Sequence, residues 1–291
     1  MLICSLIAPP GGLSVDMAGN LFSAWGGREL TWLHPREAAE FEIAAMPENR
    51  WQVWQDLQEM RVDLVVQPKA GRRKNLLLAD MDSTMIQQEC IDELADLAGV
   101  GTQVKGITAK AMNAELDFEQ ALRARVALLE GQPASIIDQA LKTRIFFTAG
   151  GAELLATMKS NGAYTALVSG GFTAFTQPVS QHLGFHEHHA NQLLVDQGVV
   201  TGQVSDPILG QQAKVEALER LIAQLSITAQ DVLAVGDGAN DLGMLQRAGS
   251  GVALHAKPSV AAQCDIRINH GDLTALLFLQ GYPRSAFRTA V

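Results

Sequence analysis

Asp80 and Asp82 stand one residue apart in Asp80-Met81-Asp82-Ser83-Thr84, at the end of the apolar run LLLAD (76–80). In an extended segment such a pair points to opposite faces, but where a strand breaks into a loop both carboxylates can turn toward one site. Carboxylates held close together must differ in protonation or share a cation. With a divalent metal present, one can act as an anionic nucleophile while the other moves protons. A strand end followed by an Asp or Thr helix cap uses the same residue types, so the pair alone leaves both readings open.

Three further groups have similar character. Gly236-Asp237-Gly238-Ala239-Asn240-Asp241 follows the apolar VLAV and sets hard oxygen donors among glycines, a combination suited to Mg²⁺, although turns share it. Ser169-Gly170-Gly171 follows TALV and leads into FTAFTQPVSQHL, so a hydroxyl and backbone N–H groups fall near a helix start, as a phosphate cradle requires. Lys214 lies near the start of the amphipathic GQQAKVEALERLIAQL; on its own it reads as a solvated lysine. The run His186-Glu187-His188-His189 offers imidazoles that suit zinc, but an exposed loop is the expectation and zinc is left out of the site.

From residue 76 strands alternate with helices: LLLAD, TALVS (165–169), DVLAVGD (231–237), GVAL (251–254) and DIRIN (265–269). This pattern predicts a parallel sheet with crossover helices, whose ligands sit outside the carboxyl ends of the strands. The acidic and Gly-rich motifs fall at those ends. A mostly helical insert at about 86–148 follows the first strand and predicts a cap, and 192–204 reads as a β-hairpin on the sheet around Asp196-Gln197-Gly198. Residues 1–70 differ, running β-α-β-β-α-β like a split βαβ, ferredoxin-like unit. KAGRRKN (69–75) then reads as a solvated basic hinge before a second domain, 76–291.

Composition narrows the function classes. With 22 Lys+Arg against 31 Asp+Glu, the net charge of −9 argues against general nucleic-acid or anionic-membrane binding. Cys4, Cys90 and Cys264 are sparse and lack CxxC spacing, which suits a reducing cytoplasm. No stretch approaches the roughly 18–20 apolar residues of a membrane span, and the N-terminus lacks the basic region of a signal peptide.

In chain order the sequence gives DxDST, a helical insert, a strand-end Ser-Gly, a lysine near a helix start and GDGxND. This order resembles the haloacid dehalogenase superfamily of phosphotransferases, over residues 76 to about 275. Glu89, Met112, Phe118 and Arg125 in the insert make the closer resemblance one to the superfamily's phosphoserine phosphatases. By element order, the N-terminal unit looks like an ACT-type regulatory domain. The resemblance implies an α/β, Rossmann-like core with a helical cap after a small α+β domain. It also implies Mg²⁺-dependent hydrolysis of O-phospho-L-serine through an aspartyl phosphate, as the last step of serine biosynthesis.

The same resemblance distributes roles. Asp80 would be the nucleophile and Asp82 the acid and base. Asp80, the Asp82 backbone carbonyl, Asp237 and Asp241 would hold Mg²⁺, and Mn²⁺ fits the same oxygens. Ser169, the Gly170 N–H, Lys214 and Asn240 would bind the phosphoryl group, while Thr84 orients the loop. Arg125 would grip the α-carboxylate, Glu89 the α-ammonium, and Met112 and Phe118 would shield the site. A homodimer, an L-serine effector at the N-terminal unit, transfer to an alcohol acceptor, and a sensor with a silent core are left open.

Overall fold

In the computed structural model, residues 1–112 and 115–289 are described. The Met112 side chain, expected in the cap wall, lies outside them. Residues 2–68 form a four-stranded antiparallel sheet of order β2-β3-β1-β4, built from β1 (Leu2–Ile7), β2 (Arg28–His34), β3 (Ala38–Ile43) and β4 (Asp63–Pro68). Helices α1 (Val15–Ala24) and α2 (Arg50–Glu59) connect the strands, and the Ser14 hydroxyl caps α1 by accepting the Met17 N–H at 3.0 Å.

Strand alternation buries both faces of this sheet. Cys4, Leu6, Phe41 and Leu64 pack with Leu13, Ala18 and Leu57 of the helical layer. On the opposite side, Ile7, Ala38 and Val65 join Leu276, Leu277 and Phe278 from near the C-terminus. The Asp63 carboxylate, fully buried, accepts the N–H groups of Asn269, His270 and Gly271 at 2.8, 3.0 and 2.8 Å. The basic segment 69–75 is exposed at Lys69, Ala70, Gly71, Arg73 and Asn75, as expected, but it is tethered and no free hinge. Arg72 forks onto Glu40 at 2.6 and 2.8 Å, buried Lys74 donates to the Gln230 carbonyl at 2.6 Å, and Arg73 covers the Tyr282 ring. Its charges were legible in the sequence; the acids and carbonyls that tether them come from distant elements.

The second sheet is parallel and six-stranded, in the order β12-β11-β10-β5-β6-β7. Apolar β5 (Leu76–Ala79) is central and is followed by the cap helices α3 (Cys90–Leu97), α4 (Gly101–Met112), α5 (Phe118–Ala127) and α6 (Ser135–Thr143). The chain returns through α7 (Gly151–Ser160), β6 (Tyr164–Phe172), α8 (Thr173–Leu183) and β7 (Glu187–Asn191). After the hairpin β8 (Leu193–Asp196) and β9 (Val199–Val204) come α9 (Gln211–Leu225), β10 (Val232–Gly236), α10 (Leu242–Arg247) and β11 (Ser250–Leu254). Short α11 (Pro258–Ala261), β12 (Ile266–Ile268) and α12 (Ala275–Leu279) complete the order. Because β5 is flanked by β6 on one side and β10 on the other, connections leave in opposite directions there and open a crevice at the strand ends.

Two expectations need correction. The 186–189 run is not an exposed loop, since Glu187, His188 and His189 lie in β7. His186 stacks on Tyr164, His188 Nδ1 meets the Thr176 hydroxyl at 2.9 Å, and His189 meets Glu187 at 2.9 Å. The hairpin turns tightly at Gln197-Gly198, both with positive φ, as expected. It forms its own two-stranded sheet, however, and leans on the cap. Backbone hydrogen bonds of 2.8–2.9 Å join Gly131, Gln132 and Ala134 to Val200 and Gly198.

Candidate active site

The site forms where β5, β6 and β10 end together. Asp80 leaves β5 with its N–H on the Val235 carbonyl at 3.0 Å, which sets it beside the end of β10. Alternation then stops: Asp82 is extended (φ −66°, ψ 134°) while Ser83 takes the left-handed region at φ 55°. The resulting turn returns Asp82 to the crevice. There Asp82 Oδ1 accepts the Cys90 N–H at the start of α3 at 2.8 Å, and Oδ2 accepts the Ser169 hydroxyl at 3.0 Å. The Asp82 carboxylate is thus held from the cap side and from β6.

Lys214, 1 % exposed, reaches from α9 to donate to Asp80 Oδ1 and Asp241 Oδ1, each at 2.6 Å. Burial alone would lower its pKa, but Asp241 and Asp80 outweigh that effect and push it upward, so it stays charged. Asp80 is held well above the usual carboxylate range by burial first and by Asp241 next, with Lys214 opposing. Asp237 is pushed up to about 6 by burial and Asp241, and accepts the Thr84 hydroxyl at 3.2 Å. Asp80, Asp237 and Asp241 bring carboxylate oxygens within 4.8 Å of one another, the single such group among the described residues. This excess of buried negative charge over Lys214 is what a divalent cation would offset.

Glycines make these approaches possible. A Cβ on Gly236 would lie 2.4 Å from the Asp241 carboxyl carbon. A Cβ on Gly171 would lie 2.6 Å from Asp82 Oδ2 and 3.1 Å from the Ser169 hydroxyl, which itself accepts the Gly171 N–H at 2.9 Å. Gly171→Ala is accordingly expected to displace the Asp82 carboxylate and lower kcat by roughly 10²–10⁴-fold, the usual worth of a placed acid–base. Steady-state kinetics beside a thermal melt checks this: a lower Tm with unchanged kcat in the folded protein would refute it.

A cavity of about 520 Å³ separates core from cap. Asp80, Asp82, Gly170, Asp237 and Asn240 line its floor, and Glu89, Phe118 and Arg125 its cap side. Of the other expected residues, Ser169, Lys214 and Asp241 lie behind that floor, where Ser169 and Lys214 donate to its acids and Asp241 holds Lys214. Arg125 donates Nε–H to the Ala121 carbonyl at 3.2 Å, and burial lowers its pKa against the pull of Asp92, Glu89 and Asp82. Arg123, on the same helix, takes Glu119 at 2.8 Å. Glu89 Oε1 accepts the Ser83 hydroxyl at 2.6 Å. Glu89 still meets solvent as a residue, but its carboxyl is confined in the cavity. That confinement and the nearby Asp82 push it up to about 7.

The wall also contains residues that the sequence reading passed over. Asp92 stands one turn beyond Glu89, Thr108 presents a buried hydroxyl with no partner among the described residues, and Lys257 follows β11 at the cavity edge. The strand-end rule that exposed Asp80 and Asp237 also applies to β11 and could have found Lys257. Nothing in the local sequence distinguishes Thr108 from a helix residue on the outer surface.

With this geometry in place, the comparisons are consistent. Residues 77–246 match the family described as haloacid dehalogenase-like hydrolase, and the chain belongs to that family. Its relatives within the family include phosphoserine phosphatases. That of Haemophilus influenzae is 46% identical over 204 residues, covering 70% of this chain and 65% of the relative, just under two thirds of its length. That of Methanocaldococcus jannaschii is 42% identical over 206 residues, covering 71% of this chain and 97% of the relative. Among solved structures, a probable phosphoserine phosphatase from Vibrio cholerae superposes with a TM-score of 0.79 at 32% identity, covering 98% of this chain and 88% of the other.

Proposed function

We propose that the chain is a phosphoserine phosphatase, hydrolysing O-phospho-L-serine to L-serine and phosphate through a phosphorylated Asp80. The observation that carries this reading is the pairing, across one cavity, of an acid-rich phosphoryl floor with a cap bearing both Arg125 and Glu89. An amino-acid zwitterion has complementary charges for those two side chains. Relatives bearing that name support the same substrate.

Asp80 attacks phosphorus with one carboxylate oxygen, and Asp82 gives a proton to the departing seryl oxygen. Asp82 then takes a proton from the water that opens the acyl phosphate. The Ser169 hydrogen bond keeps Asp82 aimed at the leaving group. The Gly170 N–H and Asn240 hold phosphoryl oxygens, Ser169 joins them only when its one hydroxyl hydrogen turns from Asp82, and Lys214 exchanges part of its hold on Asp80 for the phosphate. Asp80, the Asp82 carbonyl, Asp237 and Asp241 are the residues that would hold Mg²⁺, whose charge offsets the repulsion between nucleophile and phosphate. Mg²⁺ is favoured over softer metals by the all-oxygen donor set.

Release of phosphate from O-phospho-L-serine, compared with an aryl phosphate, tests the reading. Activity on the aryl ester alone would keep the chemistry and reject the substrate. Chelation is expected to abolish turnover and Mg²⁺ to restore it. Independently of activity, millimolar Mg²⁺ should raise Tm, because binding to the folded acids stabilises them by RT ln(1 + [L]/Kd). No rise in Tm would count against the assigned ligands.

The Glu89 carboxyl provides a pH test. With its pKa raised to about 7, Glu89 in the free enzyme is protonated below that pH and cannot pair with an ammonium. The sign is therefore a fall in kcat/KM as pH drops through about 7, approaching tenfold per unit. Glu89→Gln over the same range separates this from ionisation of the substrate phosphate; an identical acid limb in the variant would refute the assignment.

Residues 1–70 form an ACT-type unit and 76–291 the phosphatase, with the cap at about 86–148. The N-terminal unit is where an L-serine effector or a second copy would bind. Light scattering and calorimetric titration with L-serine test these roles. No described helix is long and apolar enough to cross a membrane. A cytoplasmic, biosynthetic setting is part of the proposal.

A further inference from the structure

The ladder between β6 and β7 breaks at the phosphate-binding turn. Val168 pairs with His189, but the next pair is Phe172 with Asn191, so Ser169–Gly171 bulge out of register. The Gly170 carbonyl thereby loses its place in the ladder, and the Asn191 side chain takes it. Asn191 is 2 % exposed; its Nδ2 donates to the Gly170 carbonyl at 2.8 Å and to the Leu209 carbonyl at 3.2 Å, while its Oδ1 accepts the Leu209 N–H at 2.7 Å. Both amide hydrogens and the carbonyl oxygen are engaged, which fixes the side chain completely.

What this amide joins matters for the site. Gly170 belongs to the turn at the cavity floor, and Leu209 precedes Gly210, the cap residue of α9, which carries Lys214. The Phe118 ring from the cap rests against both glycines: a Cβ would lie 3.0 Å from the ring on Gly170 and 3.2 Å on Gly210.

We propose that Asn191 is a positioning residue. It sets the spacing between the phosphate-binding turn and the start of α9, and so builds the two-glycine seat on which Phe118 lands when the cap covers the site. This inference rests on the phosphoserine phosphatase reading for its substrate. Asn191→Asp keeps the shape and the acceptor for Leu209 N–H, but turns a carboxylate oxygen toward two carbonyls. Asn191→Ala removes all three bonds.

Wild-type turnover of O-phospho-L-serine is measured first. If only an aryl phosphate is hydrolysed, the substrate reading fails and the variants are compared on that ester instead. Both variants are expected to lose roughly 10²-fold in kcat per folded enzyme, the usual cost of misplacing a reacting group by about 1 Å. Inhibition by inorganic phosphate should weaken about tenfold, while inhibition by L-serine, which the cap grips, stays within about twofold. A lowered Tm with wild-type kcat and phosphate inhibition would overturn the proposal, since that is what a purely structural asparagine would give. Should neither variant fold, Gly210→Ala decides: it leaves the Asn191 bonds intact but crowds the Phe118 seat. A fall in kcat supports the proposal, and unchanged turnover overturns it.

Discussion

Asp80→Asn is expected to lower phosphate release from O-phospho-L-serine by on the order of 10⁴–10⁶-fold while leaving a folded protein, because an amide in that place cannot form the acyl phosphate. The stability side has a definite sign. Burial and Asp241 hold the Asp80 pKa above its unfolded value, so the ionised carboxylate works against folding at neutral pH. A neutral amide of the same shape removes that charge, and Lys214 keeps its partner Asp241. Without added metal, the variant's Tm at pH 7 should equal or exceed that of the wild type, the difference closing in acid as Asp80 takes up its proton. Mg²⁺ should stabilise the wild type more than the variant. Residual turnover within about tenfold of wild type would reject Asp80 as the nucleophile.

Arg125→Ala is expected to reduce kcat/KM on O-phospho-L-serine by roughly 10- to 150-fold, corresponding to the ~1.5–3 kcal/mol of a charge-assisted hydrogen bond. Activity on an aryl phosphate, which has no carboxylate, should change by less than about threefold. Arg125→Lys retains the charge but not the fork and should recover only part of the loss. The comparison has diagnostic value because Arg125 is flanked by Asp92 and Glu89 at the cavity wall. Removing it leaves those acids unopposed, so an amino-acid carboxylate would meet net repulsion. Equal losses on both esters would show that Arg125 supports the cap and not the substrate.

The residues that could be read from sequence are those whose chemistry coincides with a strand end. Asp80 and Asp237 follow apolar runs and end adjacent parallel strands, so run length placed them and the order of the motifs gave them their roles. Ser169 was read as ending its strand, yet β6 continues to Phe172 through a bulge that a single-strand pattern cannot reveal. Asn191 was passed over for the same reason, since its importance lies in the pairing defect of a neighbouring strand. The histidine run looked like a loop because its alternation is polar; as the edge strand β7 it needs no apolar outer face. Likewise, KAGRRKN was read as a hinge because Glu40 and Gln230, which bind its cations, are distant in sequence. Local periodicity records which face is buried but not which element buries it.

Two backbone hydrogen-bonded seams fasten the cap to the rest of the molecule. At one, Ile86 bridges Phe147, with Gln87 and Thr148 donating to the Phe146 and Met85 carbonyls at 2.9 and 3.0 Å. At the other, the loop before α6 is hydrogen-bonded to the β8–β9 hairpin. The Cys90 N–H on Asp82 and the Arg123–Asp206 pair add ties on the cavity side, so the cap is held as a panel clamped along its rim and not as a flap on one edge.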